Sequence, residues 1–265
     1  MSILQISYKR SIIFFLILCS LTCLQPADAN SAAEVFQRIH SDYSYFYSSD
    51  NLLPLALSFS GAALFANSSW DQNVQNWYQR KCRTSFTDKV SSGFKFFGEG
   101  YYLVPFSLLT ASMSYIPTKS ATISTIAEWG ENSSRAYLVG APFLLLTQRA
   151  TGASRPSEDD GNSQWDFFAD ENGVSGHAFI GAVPFLTMAE LHGSDKRIYW
   201  SSLILSTLPG LSRINDNKHY FSQAFLGWFV AKQAVGSVSA CEEQNFAIYP
   251  ILRGKDFGFI GRYEW

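Results

Sequence analysis

The chain has 265 residues, of which 47% are apolar, and its 20 basic and 22 acidic side chains leave a formal net charge of −2. A chain of this length can bury one sizeable core, and its composition does not require a second domain. The near balance of charge argues against a nucleic-acid partner, because a basic domain that could neutralise a phosphate backbone is missing.

Residues 1–29 have the pattern of an export signal. Lys9 and Arg10 precede an apolar run over residues 12–18, and Ala27-Asp28-Ala29 is a small-x-small cleavage site before Asn30. We therefore predict a signal peptide and an exported protein, periplasmic or membrane-associated, with its active site on the outer side. An N-terminal membrane anchor has the same hydrophobicity and is the alternative.

Cleavage of this segment would leave two of the four cysteines, Cys82 and Cys241. In an exported protein two cysteines allow one disulfide, which would tie the N-terminal third of the chain to its C-terminal end. Two free buried thiols are the alternative.

Six apolar stretches, rich in Leu, Ala, Phe and Gly, follow in the mature chain. They cover residues 52–66, 101–116, 136–147, 177–191, 198–211 and 220–235. We predict an all-α fold over residues 30–240, a bundle of about six core helices. The stretches hold 12 to 16 residues each, and the first five contain a proline. Because a membrane span needs about 20 apolar residues, the pattern leaves membrane contact undecided.

Two further segments have recognisable patterns. Residues 67–78 have the pattern of a capped amphipathic helix, and we place Val74, Trp77 and Tyr78 on its inner face. In the C-terminal extension, residues 241–265, aromatic and glycine residues alternate from 257 onward. This alternation predicts a short β-hairpin, packed on the bundle as a cover.

Three clusters between residues 148 and 223 together describe one phosphate pocket. They are Gln148-Arg149 with Arg155-Pro156, then Val174-Ser175-Gly176-His177, then Ser212-Arg213 followed by His219 to Gln223. Arginine forks bind phosphate bidentately and stay charged at any working pH. A serine hydroxyl and a glycine N–H can approach the anion closely. Histidine can serve as nucleophile or proton donor near neutral pH.

These clusters resemble the type 2 phosphatidic acid phosphatase and vanadium haloperoxidase superfamily, whose pattern is Lys-x6-Arg-Pro, Pro-Ser-Gly-His and Ser-Arg-x5-His-x3-Asp. The resemblance covers residues 148–223. It implies that His219 attacks phosphorus and forms a phosphohistidine, that His177 protonates the leaving oxygen, and that water then releases phosphate. The resemblance also implies that the phosphoryl oxygens are bound without a metal. The residues around them would be Arg155, Arg213, Ser175 and Gly176.

The first two clusters depart from the family pattern at two positions. Gln148 stands where the family has lysine, and Arg149 follows one residue later. Either Arg149 reaches the pocket from a shifted register, or one phosphate cation is missing. Val174 replaces the proline.

Gln223 replaces the aspartate that follows the nucleophile by four residues. A carboxylate there would accept the second N–H of the imidazole and stabilise its charged form, whereas an amide carries no charge. We therefore expect either a weaker nucleophile or a replacement carboxylate, for which the candidates are Asp216, Asp166 and Asp170.

Residues 157–172 lie between the first two clusters and are rich in acidic side chains. Their spacing does not fit a calcium-binding loop, so a solvated loop is the default. Its functional interpretation is an entrance lid, in which Trp165, Phe167 and Phe168 meet an apolar substrate tail.

We predict from these features a metal-independent phosphatase for a phosphate monoester or diphosphate, with a lipid phosphate or an isoprenoid diphosphate favoured. No cofactor is expected, and the partners are a phosphorylated small molecule or lipid and a membrane surface. Two alternatives stay open. One is a vanadate-dependent haloperoxidase with His219 as the axial ligand of vanadate, and the other is a catalytically weakened phosphate-binding module.

Overall fold

The computed structural model describes residues 29–158, 162–244, 246–253 and 256–263. Its helices are α1 (Ala29–Phe46), α2 (Ser49–Ala66), α3 (Trp70–Trp77), α4 (Ser85–Lys95), α5 (Gly100–Ala111), α6 (Ala121–Thr151), α7 (Gly176–Leu191), α8 (Lys196–Asn215) and α9 (Phe221–Gln244). A π-helical turn, Tyr78–Cys82, extends α3, and two 3-10 turns, Phe96–Gly98 and Ser112–Tyr115, flank α5. The prediction of an all-α bundle is confirmed, since the six apolar stretches coincide with α2 and α5 to α9. The predicted signal peptide lies, except for its last residue, outside the described residues.

Helix α7 forms the centre of the bundle and packs against α6, α8 and α9. Its residues Phe179, Ala182 and Val183 are fully buried, together with Val139 of α6 and Val230 of α9. These side chains belong to one continuous apolar cluster, which therefore fixes the middle of α7 in the bundle.

A buried ion pair joins α1 to α6. The guanidinium of Arg135 donates from Nη2 to Asp42 Oδ1 and from Nε to Asp42 Oδ2, each at 2.8 Å, and it also contacts Glu242 near the end of α9. Asp42 is fully buried, so burial raises the pKa of its carboxyl while Arg135 lowers it. This contact explains how the polar first half of α6 packs in the bundle.

Beyond α9, strands β1 (Phe246–Arg253) and β2 (Asp256–Tyr263) pair antiparallel, with Phe246 opposite Tyr263 and Arg253 opposite Asp256. Residues 254–255, which connect the strands, lie outside the described part of the chain. A hairpin that covers the bundle stays a prediction.

The predicted disulfide between Cys82 and Cys241 is wrong, because both residues are free thiols. Cys82 is the last residue of the turn that follows α3. Asp71 of α3 contacts Ser222 at the beginning of α9. Cys241 lies 19 residues further along α9, which corresponds to about 28 Å at the rise of an α-helix. Cys241 is therefore far along α9 from the point at which α3 contacts that helix.

Among the described residues no individual helix combines the length and the apolar character of a membrane span. The segments Ser49–Ala66 and Trp70–Cys82 meet that requirement only as a pair, and the chain bends by 74° between them.

Candidate active site

The N-terminus of α7 carries the second cluster of the sequence. Ser175 is the N-cap, and its Oγ accepts a hydrogen bond from the N–H of Ala178 at 3.3 Å. Its own N–H donates to the carbonyl of Gln223 at 2.9 Å. Gly227 of α9 lies against this cap so closely that a Cβ there would be 2.2 Å from the carbonyl oxygen of Ser175. The beginning of α7 is thus fixed on α9, and Gly176 and His177 are the first two residues of the helix.

The five-residue spacing between Arg213 and His219 is explained by a helix-ending turn. Asn217 has a left-handed backbone, with φ of 56°. The N–H of Lys218 donates to the carbonyl of Arg213 at 2.8 Å, and the N–H of Asn217 donates to that of Ile214 at 3.1 Å. These two bonds form a Schellman motif at the end of α8. The N–H of His219 also donates to the Arg213 carbonyl, at 3.2 Å, so the backbone itself joins the arginine to the histidine.

Helix α3 holds this turn with buried polar side chains. Gln75 donates from Nε2 to the carbonyl of Ile214 at 3.1 Å and to Oδ1 of Asn217 at 2.7 Å. Asp71, which is fully buried, accepts a hydrogen bond from the N–H of Ser222 at 3.0 Å and contacts its hydroxyl. The inner face of α3 is therefore polar.

The predicted inner face of α3 is wrong for one of its three residues. Trp77 is 57% exposed, whereas Val74 and Tyr78 are partly buried. The face that packs inward carries Asp71 and Gln75, because the backbone of the turn offers hydrogen-bonding groups rather than apolar surface.

His219 is buried and bonds to Gln223. Its Nδ1 lies 3.0 Å from Oε1 of Gln223, and the same oxygen accepts a hydrogen bond from the N–H of Tyr220 at 3.1 Å. The amide Nε2 of Gln223 donates to the carbonyl of Ser154 at 2.8 Å. Two backbone groups therefore fix the orientation of the amide.

The predicted histidines and arginines of the site interact electrostatically. Burial lowers the pKa of His219 to about 3; the hydrogen bond to Gln223 opposes this, and the positive charges of Arg155, Arg213 and His177 add to it. Burial and the nearby Arg213 and Arg155 also lower the pKa of His177. Two imidazoles and two guanidiniums from separate parts of the chain therefore act on one another electrostatically.

The two arginines are held differently. Arg213 is 7% exposed, and its buried Nε has no hydrogen-bond partner among the described residues. Arg155 donates from Nε to Oδ1 of Asn172 at 2.7 Å, and Asn172 in turn donates to Asp170 at 2.8 Å. A buried cation with an unsatisfied N–H is suited to bind a multiply charged anion, to which the N–H can donate a hydrogen bond.

Arg149 does not join this group. It is on the outside of α6, its side chain is 63% exposed, and it pairs with Glu171 at 3.1 Å. The position of the family lysine is occupied by Gln148, whose Nε2 donates to the carbonyl of Val174 at 2.7 Å and faces Gly176. The shifted-register interpretation is therefore wrong, and Gln148 supports the loop before α7 with an uncharged side chain.

None of the three candidate carboxylates forms a hydrogen bond to His219 in the described part of the chain. Asp216 accepts a hydrogen bond from Ser91 at 2.7 Å, and Asp170 accepts from Asn172. Asp166 accepts through its backbone carbonyl from Ala169. The partner of His219 Nδ1 is the uncharged Gln223 itself.

Glu99 belongs to the site although the sequence analysis did not identify it. It lies directly before α5, and its Oε1 is 3.5 Å from Nε2 of His177. Its neighbour Gly98 packs on the same ring, where a Cβ would be 2.7 Å from Cδ2 of His177. The sequence separates Glu99 from His177 by 78 positions and gives it no motif, so only the fold could reveal the contact.

The entrance-lid interpretation is only partly compatible with the structure. Trp165 packs on Phe59 with ring centroids 6.3 Å apart, so it belongs to the edge of the core. Phe167 and Phe168 are 68% and 69% exposed. Within the described residues, no cluster of three or more His, Cys, Asp or Glu side chains could hold a metal ion.

The structure is a helical bundle in which His177, at the N-terminus of α7, and His219 interact electrostatically with Arg155 and Arg213. The family model of the PAP2 superfamily matches residues 106–245, which is more than half of the chain. The chain therefore belongs to the PAP2 superfamily, and this membership supports phosphatase activity in broad terms.

Among solved structures, the chain is similar to the first transmembrane PAP2 type phosphatidylglycerolphosphate phosphatase from Bacillus subtilis. The identity is 14% and the TM-score is 0.42, and the match covers 80% of this chain and 96% of that one. No curated protein matches the sequence significantly.

Proposed function

We propose that this protein is a phosphatase that hydrolyses a phosphate monoester or diphosphate through a phosphohistidine at His219. The observation that carries the proposal is the orientation of Gln223. Because its Oε1 accepts from the Tyr220 N–H and its Nε2 donates to the Ser154 carbonyl, the oxygen faces His219. Nδ1 of His219 must then carry the proton, and Nε2 presents a free electron pair.

The reaction follows from the surrounding groups. Nε2 of His219 attacks phosphorus while Arg155 and Arg213 hold the phosphoryl oxygens, so an N–P bond forms as the P–O bond to the leaving group breaks. His177 gives its proton to the leaving oxygen. It then takes a proton from the water that attacks phosphorus, which breaks the N–P bond and releases phosphate. The low pKa of His219 keeps its imidazole neutral at neutral pH, as a nucleophile requires.

Exposed aromatic side chains beside the site favour a substrate with an apolar part. Phe167 and Phe168 follow Trp165 on the loop that leads to Asn172, the partner of Arg155. On the other side, Glu99 is flanked in the sequence by three half-exposed aromatic residues, Phe96, Tyr101 and Tyr102. These surfaces support a lipid phosphate or an isoprenoid diphosphate as the substrate class.

The experiment is trapping of the phosphoenzyme. The purified protein is exposed briefly to 32P-labelled substrates, covering a lipid phosphate, a prenyl diphosphate and p-nitrophenyl phosphate, and is quenched in alkali, in which phosphohistidine survives. We expect label on His219 that His219→Ala lacks and His192→Ala retains, because His192 lies at the far end of α7 and bonds to Met188. Substrate turnover without label in the wild type would contradict the histidine mechanism.

Two further measurements test the alternatives. Halide oxidation that requires added vanadate and peroxide, without phosphate release from any substrate, would identify a haloperoxidase. Binding of inorganic phosphate without turnover would identify a binding module.

A further inference from the structure

The backbone around Glu99 is held by hydrogen bonds and packs against His177. The N–H of Glu99 donates to the carbonyl of Phe96 at 3.1 Å, and its own carbonyl accepts from Tyr102 at 2.9 Å. Gly98 allows this segment to lie directly on the ring of His177, since any larger residue would overlap the ring. The side chain of Glu99 therefore starts from a fixed position beside His177.

The carboxylate of Glu99 has no structural role that would explain its position. It does not cap α5, and it is 42% exposed. Its Oε1 lies 3.5 Å from Nε2 of His177, and its charge also acts on Arg213. A half-exposed side chain that contacts a catalytic group from a rigid backbone is better explained by function than by stability.

The charges around His177 show what that function is. From α8 it faces Arg213, from the loop after α6 it faces Arg155, and His219 lies across the site. Glu99, from the start of α5, is the acidic group that opposes them. Two guanidiniums and burial disfavour a protonated His177, whereas a leaving-group acid must carry a proton before the bond breaks. A carboxylate beside Nε2 favours the protonated form.

We propose that Glu99 is a positioning residue of the phosphatase reaction, which orients His177 and keeps a proton on its Nε2 until the leaving oxygen takes the place of the carboxylate. This inference rests on the proposed function. It predicts that the arginines bind the phosphoryl group, whereas Glu99 affects the protonation of the leaving group through His177.

The test compares Glu99→Gln, which keeps the volume and removes the charge, with Glu99→Asp, which keeps the charge. The alkaline limb of kcat for an alkyl phosphate should move to lower pH in Glu99→Gln, with a several-fold loss of kcat at about pH 8, and Glu99→Asp should restore part of it. With p-nitrophenyl phosphate, whose leaving group needs little protonation, the loss should be small. Glu171→Gln is the matched control, because it removes a similarly exposed carboxylate that pairs with Arg149 instead.

A second readout does not depend on turnover. The pKa of His177, followed by NMR titration of its ring proton, should be lower in Glu99→Gln than in the wild type. An unchanged His177 titration and an unchanged alkaline limb would overturn the inference. A lower KM in Glu99→Gln, with an unchanged alkaline limb of kcat, would also overturn it. Glu99 would then only repel the anionic substrate. If the wild type turns over substrate without acquiring 32P label, that result counts against the proposed function instead. The two failures are therefore distinguishable.

Discussion

Nδ1 of His219 lies 3.0 Å from Oε1 of Gln223, one helical turn further along the chain. The backbone N–H of Tyr220 and the carbonyl of Ser154 hold the glutamine from both sides. The contact therefore fixes the tautomer of His219 as well as an aspartate would. It does not supply the negative charge that would stabilise the imidazolium as the nucleophile reacts.

The first prediction is that Gln223→Asp makes the enzyme faster. The carboxylate would add charge at the same position, raise the pKa of His219 and increase the rate of phosphoenzyme formation by about ten-fold. Rapid-quench labelling with 32P substrate measures this rate directly. Gln223→Leu is the matched variant, since it keeps a buried side chain but removes the acceptor, and it should be slower than the wild type. A slower Gln223→Asp in a protein of unchanged stability would show that the amide contacts matter more than charge.

The second prediction concerns the leaving group. His177→Ala should lower kcat by about 10²–10⁴-fold with an alkyl phosphate, because a general acid contributes that range. The loss should be much smaller with p-nitrophenyl phosphate, whose phenolate leaves without a proton. Steady-state kinetics with both substrates measures the ratio. Equal losses with the two substrates would mean that His177 binds the phosphoryl group instead of protonating the leaving oxygen.

The sequence pointed to those parts of the candidate site that have a fixed spacing. Arg213 and His219 belong to one helix-ending turn, and Ser175 to His177 begin one helix, so each spacing is a local consequence of backbone geometry. Arg155 is a single position in a loop, and the Arg-Pro pair of the family pattern pointed to it. The six long apolar stretches predicted the core helices for a similar reason, because hydrophobic periodicity is local.

The sequence could not predict contacts between distant segments. Gln75 lies 139 positions before the Ile214 carbonyl that it contacts, and Glu99 has no motif that relates it to His177. The charge of Arg149 suggested a ligand, but its position on α6 turns it toward Glu171 and solvent. Polar residues that pack inward, such as Gln75, violate the rule that apolar residues face the core, and only the turn that they hold explains them.

The third prediction is that Gln75→Ala damages both stability and catalysis. Gln75 is buried and bonds to two residues of the turn between Arg213 and His219. Its loss removes both of these hydrogen bonds, at about 0.5–1.5 kcal/mol each, and so lowers the free energy of unfolding by about 1–3 kcal/mol. A shift of His219 relative to Arg213 should also lower kcat, by up to about 100-fold.

Urea denaturation and steady-state kinetics of the folded protein separate these two effects. Asn73→Ala, on the exposed face of the same helix, is the control and should change neither quantity. If Gln75→Ala lowers stability while kcat of the folded protein stays at the wild-type value, α3 supports the fold without positioning the catalytic residues.

The fourth prediction is that acid destabilises the protein through His219. The pKa of this histidine is about 3 in the folded protein, whereas an unfolded histidine titrates near 6.5. Above about pH 6.5 neither state binds the proton, so the contribution to stability is complete. Between that pH and about 3 the unfolded chain binds a proton that the folded chain does not, and the free energy of unfolding falls by up to about 1.4 kcal/mol per pH unit.

Urea denaturation between about pH 7 and pH 4 measures this slope, and His219→Asn should reduce it. Buried acids such as Asp71, whose pKa burial raises, act in the opposite direction in both proteins, so the difference between the two slopes isolates the histidine. Inorganic phosphate should also reduce the slope of the wild type, because an anion beside Arg155 and Arg213 offsets their repulsion of a protonated His219. Equal slopes for wild type and His219→Asn would mean that His219 is accessible to solvent protons in the folded state, and the nucleophile would then lack the buried environment on which the mechanism depends.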